Sequence, residues 1–194
     1  MTKRVGVLGG TFDPVHNGHL TIALAFINSG YIDELWIMPA PDPPHKKNQK
    51  VTPYKIRKEL LTIAFHDIPN IHISDFENNL EKPSYTLRTI RALKKRYPQL
   101  HFILCLGSDS IVQLDTWYHY EELINETEFL IAHRPGYNTG DLPKFFHNKC
   151  SFIEHEPIDI SSSGLKYKLR KGEPVAGLLP VNVLKRIREL DLYQ

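Results

Sequence analysis

Cysteine is scarce: two in 194 residues, Cys105 inside the apolar run HFILCLG and Cys150 beside NKC, which reads as two buried thiols and excludes a disulfide framework. A reducing compartment is expected. Long hydrophobic runs are absent too, since no stretch approaches the roughly 20 apolar residues of a membrane span. The opening MTKRVGVLGG lacks both the apolar core and the cleavage site of a signal peptide. Neither insertion nor export is expected, and the cytoplasm is the expected location. Excess charge of one sign is also missing: the net charge is +2 with acids and bases interspersed, so no electrostatic footprint of a nucleic-acid binder stands out. Polar tracts long enough for disorder are lacking as well, and hydrophobic residues at 41% suit a chain that folds alone.

Short β-branched runs alternate with longer segments of helical period. The runs are RVGVL (4–8), ELWIMP (34–39), NIHIS (70–74), HFILCLG (101–107), EFLIAH (128–133) and SFIE (151–154). Alternation of this kind marks an α/β fold with a parallel sheet. The expectation is a Rossmann-like doubly wound sheet of about six strands with helices on both faces. It forms one domain over 1–194, with a C-terminal helical subregion at about 161–194. Spacing turns Leu20, Ala23, Leu24 and Ile27 inward on the first helix, and Ile56, Leu60, Ile63 and Ala64 on the second. It does the same for Leu87, Ile90 and Leu93, and for Val183, Ile187 and Leu190 near the end. The proline-rich stretch APDPPHKKNQKVTP (40–53) is read as a mobile loop.

The stretch GGTFDPVHNGHL (9–20) directly follows the first strand, where open α/β sheets bind ligands. Gly9 and Gly10 allow a sharp turn and a close backbone approach, and Asn17-Gly18 starts a helix whose N-terminus can receive an anion. Neither G-x-G-x-x-G nor G-K-[ST] is present, so dinucleotide and P-loop phosphate mechanisms are unsupported. His16 and His19, three apart, can point the same way and offer N–H donors to a polyphosphate, although two such histidines alone are more often satisfied imidazoles. Near the C-terminus, IDISSSGLKYKLRKG brings Ser161, Ser162 and Ser163 to the start of a basic helix, which a plain N-cap would also explain.

The string from Gly10 to His19 resembles the nucleotidylyltransferase superfamily signature G-x-F-D-P-x-H-x-G-H at every position. The resemblance implies that Gly9, Gly10, Thr11, Phe12, His16 and His19 bind ATP and that both histidines, the catalytic pair, face its phosphates. Residues 160–166 resemble the second motif of that superfamily, I-S-S-T-x-I-R, with Ser163 for threonine, Leu165 for isoleucine and Lys166 for arginine. Ser161 to Ser163 and Lys166 would then hold the outer phosphates, with lysine keeping the charge but losing the planar fork. PAPDPPHKK, KPSYTLRTIRALKKRYP, LCLGSDSIVQLDTWYHYEEL and AHRPGY are similar, in order and spacing, to the bacterial nicotinate-nucleotide adenylyltransferases.

A flat ring bearing a carboxylate needs an aromatic face and neutral donors. Trp117 offers the face, and Thr86 with the backbone N–H groups around Trp117 and Tyr118 are the carboxylate donors the resemblance implies. Ser84 is read as a helix cap. Asp109, just after Gly107 at a strand end, can accept from ribose hydroxyls, and the resemblance assigns both residues to ATP. His45 and Lys46 would fold over phosphate when substrates arrive; Arg134 is a further candidate without an assigned role. Asp13 is read as a turn residue bonding backbone N–H groups, and no metal-ligating cage is visible, so magnesium is expected to arrive on the triphosphate.

The resemblance implies transfer of the adenylyl group of ATP to nicotinate mononucleotide, with pyrophosphate released. Transfer to phosphopantetheine or nicotinamide mononucleotide, or a nucleotide sensor without turnover, stay open as alternatives. Oligomeric state is not legible, and a homo-oligomer is allowed.

Overall fold

The computed structural model describes residues 2–43, 50–133, 148–156 and 158–194. Six strands form one parallel sheet: β1 (Lys3–Gly10), β2 (Glu34–Pro39), β3 (Ile71–Ile73), β4 (Leu100–Gly107), β5 (Glu128–His133) and β6 (Cys150–Glu154). Their order across the sheet is β3-β2-β1-β4-β5-β6. The chain runs outward from β1 to β3, then returns to lay β4 on the other side of β1. This reversal is the topological switch point at which doubly wound sheets bind ligands.

Among the described residues seven helices accompany the strands: α1 (Asn17–Asn28), α2 (Tyr54–Phe65), α3 (Thr86–Arg96), α4 (Ser108–Ile111), α5 (Tyr120–Glu126), α6 (Ser162–Arg170) and α7 (Val181–Glu189). The strands read as near-continuous apolar runs because both faces of the sheet are covered. On β4, Phe102, Leu104 and Leu106 join one core cluster, while Ile103 and Cys105 join the other. The first cluster takes in Leu87, Ile90 and Leu93 of α3 with Leu123 and Ile124 of α5. The second takes in Ile22, Ala23 and Phe26 of α1, Leu60 of α2, Leu165 of α6, and Val183 and Ile187 of α7. Helices therefore flank both faces, as expected, and the C-terminal pair α6 and α7 packs on the same core as α1 and α2. No helix among the described residues is long and apolar enough to cross a membrane.

Two helical faces differ from the spacing. On α1 the buried residues are Ile22, Ala23 and Phe26, whereas Leu24 is exposed. The helix is apolar nearly all round, so periodicity alone could not select the face. On α2, Leu60 is joined by Arg57, Leu61 and Phe65, with Ile56, Ile63 and Ala64 only partly buried. The face rotates to bury a cation: Arg57, 1% exposed, bonds the carbonyls of Thr52, Thr11 and Ala40 at 2.8, 2.7 and 2.9 Å. On α7, Val183 and Ile187 are buried and Leu190 is half-buried.

Candidate active site

The turn between β1 and α1 places both histidines. His16, 5% exposed, is the N-cap of α1 in extended backbone, so its ring lies over the first helical turn. His19 follows three residues later on the same side. The rings stack with centroids 3.7 Å apart and planes 28° from parallel. The backbone N–H of His16 donates to His19 Nδ1 at 3.2 Å. An imidazole accepting at Nδ1 carries its proton at Nε2 when neutral, so this bond fixes the tautomer as well as the ring orientation. Phe12, at φ 50°, packs edge-on against His19 with centroids 4.9 Å apart.

Glycines make room for this arrangement. A Cβ on Gly18 would stand 3.1 Å from His16 Nδ1 and 3.2 Å from its Cε1, and one on Gly10 would meet the Phe12 ring at 2.8 Å. A Cβ on Gly9 would meet nothing within 4 Å, so there the backbone borders open space. The helix N-terminus offers less than the sequence promised, because the Asn17 N–H is bonded to Leu178 carbonyl and those of His19 and Leu20 to His16 carbonyl. Gly18 is the first-turn donor not engaged by these carbonyls.

The serine string near the C-terminus docks on this same turn. Ser161 caps α6, accepting from Gly164 N–H at 3.0 Å, and Ser162 Oγ donates to Pro14 carbonyl at 3.0 Å across 148 residues. Ser163 lies in the first turn of α6. Lys166, expected to reach phosphate, instead bonds Asp13 Oδ2 at 2.8 Å. At the β4 end, a Cβ on Gly107 would come 2.5 Å from Asp109 Oδ1 and 3.8 Å from Ile22 of α1, so the Asp109 carboxylate folds back over the strand end beside α1.

A cavity of about 340 Å³ opens beside the turn. Gly9, Gly10 and Thr11 form one wall; Thr86, Trp117 and Tyr118 form another; Val7, Met38, Leu104 and Leu106 supply apolar surface. The structure thus brings the expected acceptor residues against the glycine wall of the phosphate turn. The expected donors are fewer than proposed from sequence, since Trp117 N–H is bonded to Leu114 carbonyl at 3.0 Å, which leaves Tyr118 N–H and Thr86. Thr86 opens α3, so the positive end of that helix faces the cavity. His45, Lys46 and Arg134 lie outside the described residues.

A family model described as cytidylyltransferase-like matches residues 7–168. The nicotinate-nucleotide adenylyltransferase of Bacillus subtilis is 35% identical over 193 residues, covering 99% of this chain and 99% of that protein. The chain belongs to the nicotinate-nucleotide adenylyltransferase family. Among solved structures, the nicotinic acid mononucleotide adenylyltransferase of Plasmodium falciparum complexed with NaAD shares 22% identity and a TM-score of 0.83, covering 98% of this chain and 97% of that one. The same enzyme complexed with APC superposes with a TM-score of 0.81 at 22% identity and the same coverage. At this identity the likeness is one of fold.

Within this family member, several residues around the site escaped sequence reasoning. Asp13 is not simply a turn former. It has no exposed surface and accepts from Lys166 Nζ and Tyr193 Oη at 2.8 Å each, and from Thr52 N–H at 3.3 Å. Burial alone would raise its pKa, but the hydrogen bonds from Lys166, Thr52 and Tyr193 outweigh that and hold the carboxyl below its usual range. Ser84 is not the cap: Tyr85 is the N-cap of α3, and Ser84, a cavity-lining residue, has its Oγ buried with no hydrogen-bond partner among the described residues. Tyr85 stacks on Tyr118 with centroids 4.3 Å apart and planes 15° from parallel, and the Arg88 guanidinium lies 5.4 Å from each ring centroid. Glu77 also lines the cavity, its pKa raised by burial despite the 3.0 Å bond from Thr89 Oγ1. The SYTLR string was the available signal for Tyr85 and Arg88, one turn apart; nothing local marks Glu77 as facing the cavity.

Gly18→Ala is expected to push the His16 ring out of its stack and lower turnover about 10-fold, with thermal unfolding close to wild type; steady-state kinetics beside a melting curve checks it. For Asp13 the folded carboxyl titrates below its unfolded value, so its contribution to stability is present above the unfolded pKa and lost as pH falls through the folded one. Asp13→Asn is therefore expected to cost about 3–5 kcal/mol near neutrality, where Lys166 loses its counter-ion, and less at about pH 3, below the unfolded carboxyl value of 3.8. Urea unfolding at the two pH values measures the difference.

Proposed function

We propose that this protein transfers the adenylyl group of ATP to nicotinate mononucleotide, giving nicotinate adenine dinucleotide and pyrophosphate. The observation that carries the reading is the meeting of two phosphate-seeking elements on one turn: the stacked imidazoles at the start of α1 and the N-terminus of α6, bonded to Pro14 through Ser162. The glycine wall of that turn borders an aromatic cavity suited to a planar acid. Membership of the nicotinate-nucleotide adenylyltransferases supports the same reaction.

In this reading the acceptor phosphate attacks the α-phosphorus in line. A phosphate monoester has a second pKa of about 6, so the nucleophile is already ionised near neutrality and needs no strong base. What the site must supply is compensation for two polyanions brought together in a water-poor crevice. His16 and His19 offer their imidazoles to the charge that builds at the reacting phosphorus and leaving group. The Nδ1 acceptor bond places the proton of a neutral His19 on Nε2. The positive ends of α1 and α6 add oriented dipoles. Asp109 accepts from the ribose hydroxyls at the end of β4.

The nicotinate ring occupies the cavity against Trp117, and its carboxylate meets Thr86, Tyr118 N–H and the positive end of α3. Among the described residues, no group of three or more His, Cys, Asp or Glu could hold a metal ion, and Asp13 is closed in by its own partners. Magnesium would arrive on the triphosphate with most of its waters, where it would neutralise phosphate charge. A cytoplasmic location is part of the proposal.

A pyrophosphate-release assay with ATP and each acceptor tests the reading. Nicotinate mononucleotide is expected to be turned over in preference to nicotinamide mononucleotide and phosphopantetheine; preference for either of the others, or no release with any, contradicts it. His19→Ala is expected to lower turnover at least ~100-fold with the fold intact, as for a contact made in the transition state.

A further inference from the structure

Position 166 offers a cation in a constrained place. The Lys166 ammonium lies 2.8 Å from Asp13 Oδ2, with the two side chains 12% and 0% exposed. A guanidinium is a planar fork that can bond one anion on one edge and present its other edge to a second; an ammonium is a single point of charge. Lys166 therefore serves Asp13 or a triphosphate, not both with full strength. Leaving Asp13 would strip a fully buried carboxylate of its counter-ion, which is strongly disfavoured.

The other groups around Asp13 come from distant parts of the chain. Tyr193 Oη donates to Oδ1 at 2.8 Å from the C-terminal turn, and Thr52 N–H donates to Oδ2 at 3.3 Å from the lead into α2. Arg57, buried in α2, bonds both Thr52 and Thr11 carbonyls and so ties that lead to the phosphate turn. Asp13 precedes His16 by three residues. Both lie on the turn from which the His16 N–H orients the His19 ring.

We propose that Lys166 and Tyr193 are positioning residues that act together through Asp13 to hold the turn carrying the imidazole pair, and that Lys166 stays on Asp13 when ATP binds. The inference rests on the adenylyl-transfer reading for its effect on turnover, but not for its effect on ATP binding. The second motif of this chain then serves the phosphates through the helix start at Ser161 to Ser163, and its cation serves as a latch between the two motifs.

Lys166→Met, Tyr193→Phe and the double variant test this, with ATP affinity read by titration calorimetry and turnover by steady-state kinetics. Each single substitution is expected to lower kcat about 10-fold with the Kd for ATP within about twofold of wild type, and the double variant to be no slower than the slower single one, because both act on one carboxylate. Lys166→Arg is expected to keep turnover near wild type, since a guanidinium can hold Asp13. A loss of ATP affinity of about 10-fold or more in Lys166→Met with Tyr193→Phe unaffected would make Lys166 a phosphate ligand and overturn the proposal. Losses that multiply in the double variant would overturn it as well. Tyr193→Phe removes one hydroxyl only, so its split between kcat and Kd decides the matter even where Lys166→Met fails to fold. A wild-type protein inactive with nicotinate mononucleotide would count against the reaction, whereas the ATP affinities would still decide the role of Lys166.

Discussion

The N–H of His16 donates to Nδ1 of His19, and the geometry of the imidazole pair depends on that bond. It holds the second ring against the first and leaves Nε2 of His19 as the protonated nitrogen. The bond exists because His16 is an N-cap in extended backbone, whose N–H points along the helix start and not into a helical ladder. Gly18 permits it, since any Cβ there would crowd the His16 ring. Asp13, Phe12 and Ser162 hold the turn from three sides, so two imidazoles that would otherwise be free rotors share one geometry before any substrate arrives.

The sheet decides where this turn is. With β1 flanked by β2 on one side and β4 on the other, the connections from β1 and β4 leave in opposite directions and open a crevice at their carboxyl ends. The β1 turn carries the histidines, the β4 end carries Asp109, and the cavity lies beside them. Burial on both faces makes the strands stiff supports, while the polar groups at the crevice come from the loops and helix starts above them.

Much of this was legible in the sequence. Six short apolar runs alternating with helical spacing located all six strands, with ELWIMP and EFLIAH matching the observed bounds. The strands are legible because a doubly covered sheet requires local hydrophobic runs. The motif around His16 and His19 is legible because ten contiguous residues resemble a family signature, whereas the two imidazoles alone read as ordinary satisfied side chains. What was not legible depends on distant partners. Arg57 looks like an exposed helix residue until its guanidinium is seen to bond Thr11, 46 residues away. Tyr193 meets Asp13 across 180 residues and Lys166 meets it across 153, and no local spacing encodes either contact. Ser84 reads as a cap because a serine before a helix has that propensity, whereas the N-cap of α3 is the next residue, Tyr85, and the Ser84 hydroxyl is buried.

In the proposed reaction the paired rings receive the triphosphate. Imidazole nitrogen resonances of His16 and His19, recorded with isotope-labelled histidine while a non-hydrolysable ATP analogue is added, test it most directly. Both residues are expected to shift their ring-nitrogen resonances as the analogue saturates the protein. Resonances that stay unchanged when the analogue saturates the protein would contradict it.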